Sequence, residues 1–351
     1  MQSFNFRNSF LRILFFPFTF LYYILITIRN KFYDKNIFKI HKFPVPVISI
    51  GNITTGGTGK TPFAIHLAKL LKNQYNKIAV VSRGYHRKSK GLIVVSDGKG
   101  NIGSVEQCGD EPVLIANKLP EAVVIVSENR VKGVARAIDD FSCDLILLDD
   151  AFQHRRIHRD CDIVLINKKA PLANDFMIPA GSLREPLSQL KRAEVIIFTH
   201  SDNNINEDDS TQLNKYYSGP FFRSTFSPEY FLDPVCGEKY LPDQIQGKAA
   251  VVFCGIAQPQ LFKYMLDKQG IEIRDMVVFS DHYYYMENDI AKITKNAMKL
   301  NCDFIITTEK DLVKINLSGI SEVRILALAI RIGIKNEQLL CKKVKEYIDK
   351  S

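Results

Sequence analysis

The stretch GNITTGGTGKTP, residues 51–62, constrains the fold more than any other part of the chain. It joins an apolar run, PVPVIS, to a helically spaced segment, TPFAIHLAKLLKNQ, giving strand, glycine loop and helix in that order. Gly56, Gly57 and Gly59 permit backbone conformations that turn amide N–H groups inward, and the positive end of the following helix completes an anion cradle. Lys60 is placed to reach phosphate oxygens, the Thr61 hydroxyl to ligate Mg²⁺, and Pro62 to occupy a first helical turn. The usual phosphate-loop pattern asks for glycine six places before the lysine, where this chain has Thr54.

The rest of the chain alternates strands and helices. KIAVVS, AVVIVS, LILLDD, CDIVLIN and AEVIIFT read as buried strands, and VKGVARAIDDF as a helix. This pattern predicts an α/β fold, a doubly wound and mostly parallel sheet of the P-loop NTPase kind, with ligands at the carboxyl ends of its strands. LILLDD ends in Asp149 and Asp150, in the manner of a strand-tip carboxylate pair that holds Mg²⁺. Residues 201–220 are polar without an apolar period and read as a junction or surface excursion. Beyond them AAVVFC, RDMVVF, CDFIITT and VRILALAI repeat the alternation, so a second, smaller α/β domain is expected.

The N-terminus differs in kind. Ile13 to Ile28 is uncharged, and residues 1–42 hold seven basic residues against one acidic. The run is shorter than the roughly 20 residues a spanning helix needs, and Pro17 should kink or restart the helix. An apolar helix with basic flanks is expected to lie in an anionic membrane surface, the competing reading being a buried core helix. The whole chain carries a formal charge of +9, which fits an anionic partner without choosing among nucleotide, phospholipid and nucleic acid. The seven cysteines are scattered and form no C-x-x-C pair, so neither a disulfide framework nor a zinc site is expected.

Phosphoryl transfer also needs a group to deprotonate or orient the acceptor. QCGDEP offers Asp110 and Glu111, and SDHYYY offers Asp281 and His282, but the residues alone leave the pairing undecided. TTEKDLVK, at the end of a strand, reads as a nucleotide-side or inter-domain contact.

Taken together, VISIGNITTGGTGKTP, VVSRGYHRKSKG, CGDEPVLIA, ENRVKGVARAI, LILLDDAFQHRRIHRDCDIVLIN, AGSLREPLSQLKRAEVIIFT, FSDHYYY and TTEKDLVKI resemble the tetraacyldisaccharide 4′-kinase family, the lipid A 4′-kinases. The resemblance spans roughly residues 45–315, and the family's own loop has threonine where Thr54 stands. It implies ATP-dependent phosphorylation of the 4′-hydroxyl of a tetraacylated glucosamine disaccharide 1-phosphate, at the cytoplasmic face of the bacterial inner membrane. ATP, Mg²⁺, a membrane-embedded glycolipid and an anionic membrane surface are then the expected partners, and nucleic acid is not. By the same resemblance Thr54, Gly56, Gly57, Thr58, Gly59, Lys60 and Thr61 hold the nucleotide, and Thr61, Asp149 and Asp150 the metal. Asp110 is the base, assisted by His282. Gln153, His154, Arg184, Glu185 and Arg130 match positions near the active centre. Ala151 stands where the family commonly has glycine, a concern only if that backbone has positive φ. The implied organisation is an arm over 1–42, a P-loop kinase domain over 43–215 and a smaller α/β domain over 216–351 that contributes to the site. A Min- or Par-like ATPase switch is the alternative; its loop carries a lysine just before the glycine pair, where this chain has Thr55.

Overall fold

The computed structural model describes residues 9–168, 172, 176–200, 213–316 and 323–350, with side chains from residue 13 onward. Residues 201–212 of the expected junction lie outside this set. After helix α1 (Ser9–Asp34), the first half runs β1 (Val47–Asn52), α2 (Lys60–Leu71), β2 (Ile78–Ser82), β3 (Ile93–Asp97), α3 (Val105–Cys108), α4 (Asp110–Lys118), β4 (Val123–Val126), α5 (Arg130–Asp139), β5 (Leu145–Asp149), β6 (Cys161–Asn167) and β7 (Val195–Thr199). The second half contributes β8 (Phe221–Leu232), β9 (Lys239–Tyr240), β10 (Ala249–Cys254), α6 (Pro259–Lys268), β11 (Glu272–Val278), α7 (Glu287–Lys299), β12 (Phe304–Thr308), α8 (Glu309–Leu312), β13 (Arg324–Ile334) and α9 (Glu337–Ile348).

Every strand expected in the first half is present, and the expected helix at 131–141 appears as α5. β1, β2, β4 and β5 are buried throughout because helices cover both faces, which is why they read as continuous apolar runs. Three strands escaped the sequence reading, the two-residue β9 among them. β3 is a half-buried edge that pairs antiparallel with β4, and β8 carries Arg223, Ser224, Thr225, Ser227 and Pro228 among its aromatics. β8 is the strand that organises the molecule. Its first residues pair in parallel with β7, and the remainder pairs antiparallel with β13. One sheet therefore runs through both halves, in the order β11-β10-β12-β13-β8-β7-β6-β1-β5-β2-β4-β3.

The last helix also crosses the expected boundary. Leu340 and Val344 of α9 are fully buried in the cluster formed by Ile48, Ile50, Phe63 and Leu67, which is the core beneath the glycine loop. His66 of α2 meets Glu337 of α9 at 2.7 Å on the same side.

α1 is not a core helix. Ile13, Phe16, Phe18, Leu21 and Leu25 are more than half exposed, and within its described side chains only Thr19, Asn30 and Tyr33 are buried. From Ile13 to Asp34 it is long and apolar enough to cross a membrane by length and composition alone. It runs on through Pro17 and does not restart there, one of the two outcomes expected of that residue. A proline removes one backbone hydrogen bond, and here turns on both sides keep the helical register. Its inner side is fastened by specific bonds: Ala180 N–H donates to Thr19 Oγ1 at 3.0 Å, Tyr22 OH to the Arg184 carbonyl at 2.9 Å, and Arg155 to Asp34 at 2.7 Å.

Because Leu340 completes the core under α2, Leu340→Ala should destabilise the protein by about 2–5 kcal/mol. Denaturant unfolding followed by far-UV circular dichroism measures this; a loss below about 1 kcal/mol would show that α9 is not part of that core.

Candidate active site

The glycine loop leaves the end of β1 and enters α2 through Gly59, whose φ of 79° lies in the left-handed region. A side chain there would also collide with the Phe226 ring, so glycine is required twice over. Thr54, by contrast, needs no such freedom. It bridges antiparallel to Leu183, flanked by Thr55 N–H donating to the Ser182 carbonyl at 2.7 Å and Arg184 N–H to the Ile53 carbonyl at 2.8 Å. Extended backbone suits a β-branched residue, so threonine fits where other phosphate loops have glycine. Lys60 opens α2, and the buried Thr58 hydroxyl has no hydrogen-bond partner among the described residues.

At the tip of β5, Asp149 and Asp150 have opposite environments. Asp150 accepts two bonds from Arg184 Nη1, at 2.9 and 3.1 Å, and lies 3.7 Å from Lys60 Nζ. Burial alone would raise its pKa, but Lys60, Arg184 and Arg130 outweigh it and bring the value to about 2. Asp149 is buried, its Oδ1 has no partner among the described residues, and burial with the charges of Glu111 and Asp150 raises its pKa. An orphaned carboxylate oxygen on the strand paired with β1, whose end leads into the glycine loop, fits Mg²⁺. No cluster of three or more His, Cys, Asp or Glu side chains converges as a metal cage among the described residues. The turn after Asp149 is sharp, and Asp150 absorbs it with φ of 48°, while Ala151 keeps negative φ. The concern about a methyl group at 151 therefore moves to a residue type that tolerates the left-handed region. Arg130, at the start of α5, donates to the carbonyls of Asp149 and Asp150 at 3.1 and 3.0 Å and fixes that turn.

The pairing left undecided by the sequence is made across the two halves. Asp110, buried at the start of α4, meets His282 Nδ1 at 2.9 Å through Oδ2 and at 3.1 Å through Oδ1. Burial opposes its charge, yet the His282 hydrogen bond and the Lys310 ammonium hold its pKa at about 2. The segment bearing His282 lies against the first half, with Tyr284 OH donating to the His86 carbonyl at 2.9 Å.

Of the remaining residues, Gln153 donates to the Asn52 carbonyl at 2.8 Å and so braces the end of β1. His154 is held neutral, its pKa lowered to about 3 by burial and by Arg130, Arg159 and Arg156. Glu185 is fully buried and bound up with Arg192, Asn30 and Arg29, so the structure sets it between α1 and the body rather than beside the loop. Three contributors had no signal in the sequence. Gln258 Nε2 donates to the Gly57 carbonyl, Ala257 packs on Gly57, and Phe226 packs on Gly59, so the second half forms one wall of the phosphate loop. The GIAQPQ turn before α6 resembles many strand-to-helix turns, and only the tertiary contact distinguishes it.

Most of these groups, though not the buried Asp110, Asp149 and Glu185, line one cleft of about 2970 Å³, reaching from Phe15 and Tyr22 of α1, past the glycine loop, to His282 and Lys310. Pockets that hold a drug-sized ligand run to roughly 300–1,000 Å³, so the cleft has room for a nucleotide and a second large substrate side by side.

A family profile described as "Tetraacyldisaccharide-1-P 4'-kinase" matches residues 11–349. A tetraacyldisaccharide 4′-kinase of Syntrophus aciditrophicus is 38% identical over 85% of this chain and 83% of its own length. One from Aquifex aeolicus is 36% identical over 93% of this chain and 96% of its own. The crystal structure of Aquifex aeolicus LpxK in complex with ATP superposes with a TM-score of 0.78 at 34% identity, covering 96% of this chain and 99% of that one.

The loop geometry sets two expectations for thermal melting and for ATP binding by calorimetry. Thr54→Gly should lower stability by about 0.5–1 kcal/mol, since glycine weakens an extended bridge. Gly59→Ala should cost about 1–2 kcal/mol from backbone strain alone and should abolish measurable ATP binding.

Proposed function

The chain belongs to the tetraacyldisaccharide-1-P 4′-kinase family, and on that premise we propose how its own residues transfer phosphate from ATP to the 4′-hydroxyl of a tetraacylated disaccharide 1-phosphate. It is a phosphotransferase of lipid A biosynthesis; nothing in its relatives supports the switch ATPase. The observation that carries the reading is the Asp110–His282 bond, which brings a buried carboxylate from one half and an imidazole from the other to the cleft that holds the glycine loop.

The glycine loop, with Thr54, Thr58 and the amides of residues 56–59, cradles the phosphates of ATP, and Lys60 lies against the transferred group. Thr61, Asp149 and Asp150 hold Mg²⁺, which when bound neutralises charge developing on the phosphate oxygens. Asp110 accepts the proton of the 4′-hydroxyl as its oxygen bonds to the γ-phosphorus and the bond to the ADP oxygen breaks. A carboxylate of pKa about 2 is a weak base, but transfer through a loose transition state asks for little proton removal before bond formation. Arg184, which donates to Asp150 beside the glycine loop, would face a phosphate oxygen of the bound nucleotide, and Gln153 and His154 line the same cleft.

The organisation proposed is an arm, a P-loop unit over 43–215 and a smaller unit over 216–351 that completes the site. The exposed apolar side of α1, with Arg29, Lys31 and Lys35 at its end, lies in an anionic membrane surface, where a four-chain lipid is presented without leaving the bilayer. Since ATP is a cytoplasmic solute, the face served is the cytoplasmic face of the inner membrane.

Purified protein incubated with labelled ATP and the disaccharide 1-phosphate should yield labelled 4′-phosphate; ATP hydrolysis without lipid phosphorylation would refute the reading. Lys60→Ala and Asp110→Ala should each reduce kcat by about a hundredfold or more, and near-normal turnover in Asp110→Ala would remove it from the base role. Deletion of residues 1–28 should abolish cosedimentation with vesicles containing phosphatidylglycerol, while unchanged sedimentation would refute the anchor.

A further inference from the structure

TTEKDLVK has no part in the transfer described above, yet it places a cation in the lining of the cleft. Lys310 Nζ lies 3.1 Å from Glu111 Oε1, 3.4 Å from His282 Nε2, 3.7 Å from Asp281 Oδ1 and 3.9 Å from Asp110 Oδ2. Glu111 and Asp110 belong to the first half, His282 and Asp281 to the second, so one ammonium group joins both.

We propose that Lys310 is a positioning residue that fixes the tautomer of His282, holding the ring neutral with its single proton on Nδ1, directed at Asp110. A lysine ammonium has three donors and no acceptor, so its approach to Nε2 is favourable only where that nitrogen carries a lone pair. The other nitrogen must then carry the proton, and Nδ1 is the atom within 2.9 Å of Asp110 Oδ2. Among the described residues Asp281 is the one acidic group within 4.0 Å of Nε2, and at 3.8 Å it is too far to compete through a direct hydrogen bond. Lys310 remains a donor throughout: burial works against its charge, but Glu111, Asp110 and Asp281 raise its pKa above the ordinary lysine value.

Its position is set by a rigid support. Two residues before it, Thr308 caps α8 by accepting from the Asp311 amide, while the buried Asp311 carboxylate accepts from Gly255 N–H at 3.1 Å, Thr308 Oγ1 at 2.7 Å and Lys314 Nζ at 2.7 Å. Gly255 begins the turn whose Gln258 holds the glycine loop, so the element that orients His282 is tied to the element that borders the phosphates. In this arrangement His282 orients the carboxylate and does not take its proton, because its free lone pair is already occupied. The acceptor of the hydroxyl proton is then Asp110 alone. The inference rests on the reading of Asp110 as base, and deepens it by assigning the imidazole a fixed role.

The test is nitrogen NMR of ¹⁵N-histidine-labelled full-length protein in detergent micelles, with His282→Gln identifying one ring among the seven histidines. The expected spectrum is a neutral ring protonated on Nδ1. Lys310→Met should lose that state, giving the Nε2-protonated or charged ring, and lower kcat about ten- to a hundredfold while KM for ATP changes less than about threefold. Lys310→Arg, which restores a donor, should return the Nδ1 proton and most of kcat. A wild-type ring protonated on Nε2 overturns the proposal without recourse to any variant. So does Lys310→Met with unchanged tautomer, whether or not kcat falls. Asp110→Asn separates the two readings: retained turnover in that variant would refute the base while leaving the His282 assignment to the spectrum.

Discussion

The geometry of the whole site depends on the backbone ladder of β8. Three of its residues complete the sheet of the first half, and the next stretch pairs with β13 to begin the sheet of the second. Hydrogen bonds a few residues apart on one strand thus set the distance between Asp110 and His282, which are 172 residues apart in the chain. A flexible linker could not hold a 2.9 Å contact between two such units without additional interface, whereas a shared strand allows mainly twist and bending.

Around that frame the charges are separated with economy. Asp150 is held ionised by Lys60, Arg184 and Arg130, while at Asp149, one residue earlier, burial and the charges of Glu111 and Asp150 outweigh Lys60 and Arg130. The difference follows from the turn at φ 48°, which sends the two carboxylates in different directions. A second cationic centre, Lys310, stands on the opposite side among Asp110, Glu111 and Asp281. Each cation is therefore held by side chains before any nucleotide enters, so the field that receives phosphate is largely formed in advance.

Much of this was legible in the sequence, for reasons that can be stated locally. Buried parallel strands announce themselves as apolar runs, and the glycine loop, Lys60, Thr61 and the Asp149–Asp150 pair follow one another with short-range spacing. What was not legible is what depends on partners far along the chain. Thr54 looked like a missing glycine because nothing nearby reveals its bridge to Leu183. Pro17 signalled a kink or a restart, yet the helix runs on, since local propensity is a weak constraint against a helix held on its inner side by Thr19 and Tyr22. β8 was obscured because a strand that changes partners, and is exposed for part of its length, has no single periodicity. Glu185 was read with Arg184 as one motif, although the two side chains have different partners: Arg184 meets Asp150, Glu185 meets Arg192 and Asn30.

The return of α9 beneath α2 has a consequence for how the molecule is made. On the ribosome the strands and helices of the nucleotide-binding half emerge first, but the apolar surface that Leu340 and Val344 cover stays open until almost the last residue has been added. The edge of β7 likewise waits for β8, and β8 for β13. Vectorial folding, in which an N-terminal unit closes while its successor is still being translated, is incomplete for such a topology. The nascent half-protein exposes an apolar face and an unpaired strand edge together, and a greasy helix ahead of both. Of these, the helix is the one to which the proposed membrane surface gives a destination before synthesis ends. An early encounter of α1 with a lipid surface would shield the growing chain during the interval in which its own C-terminus cannot.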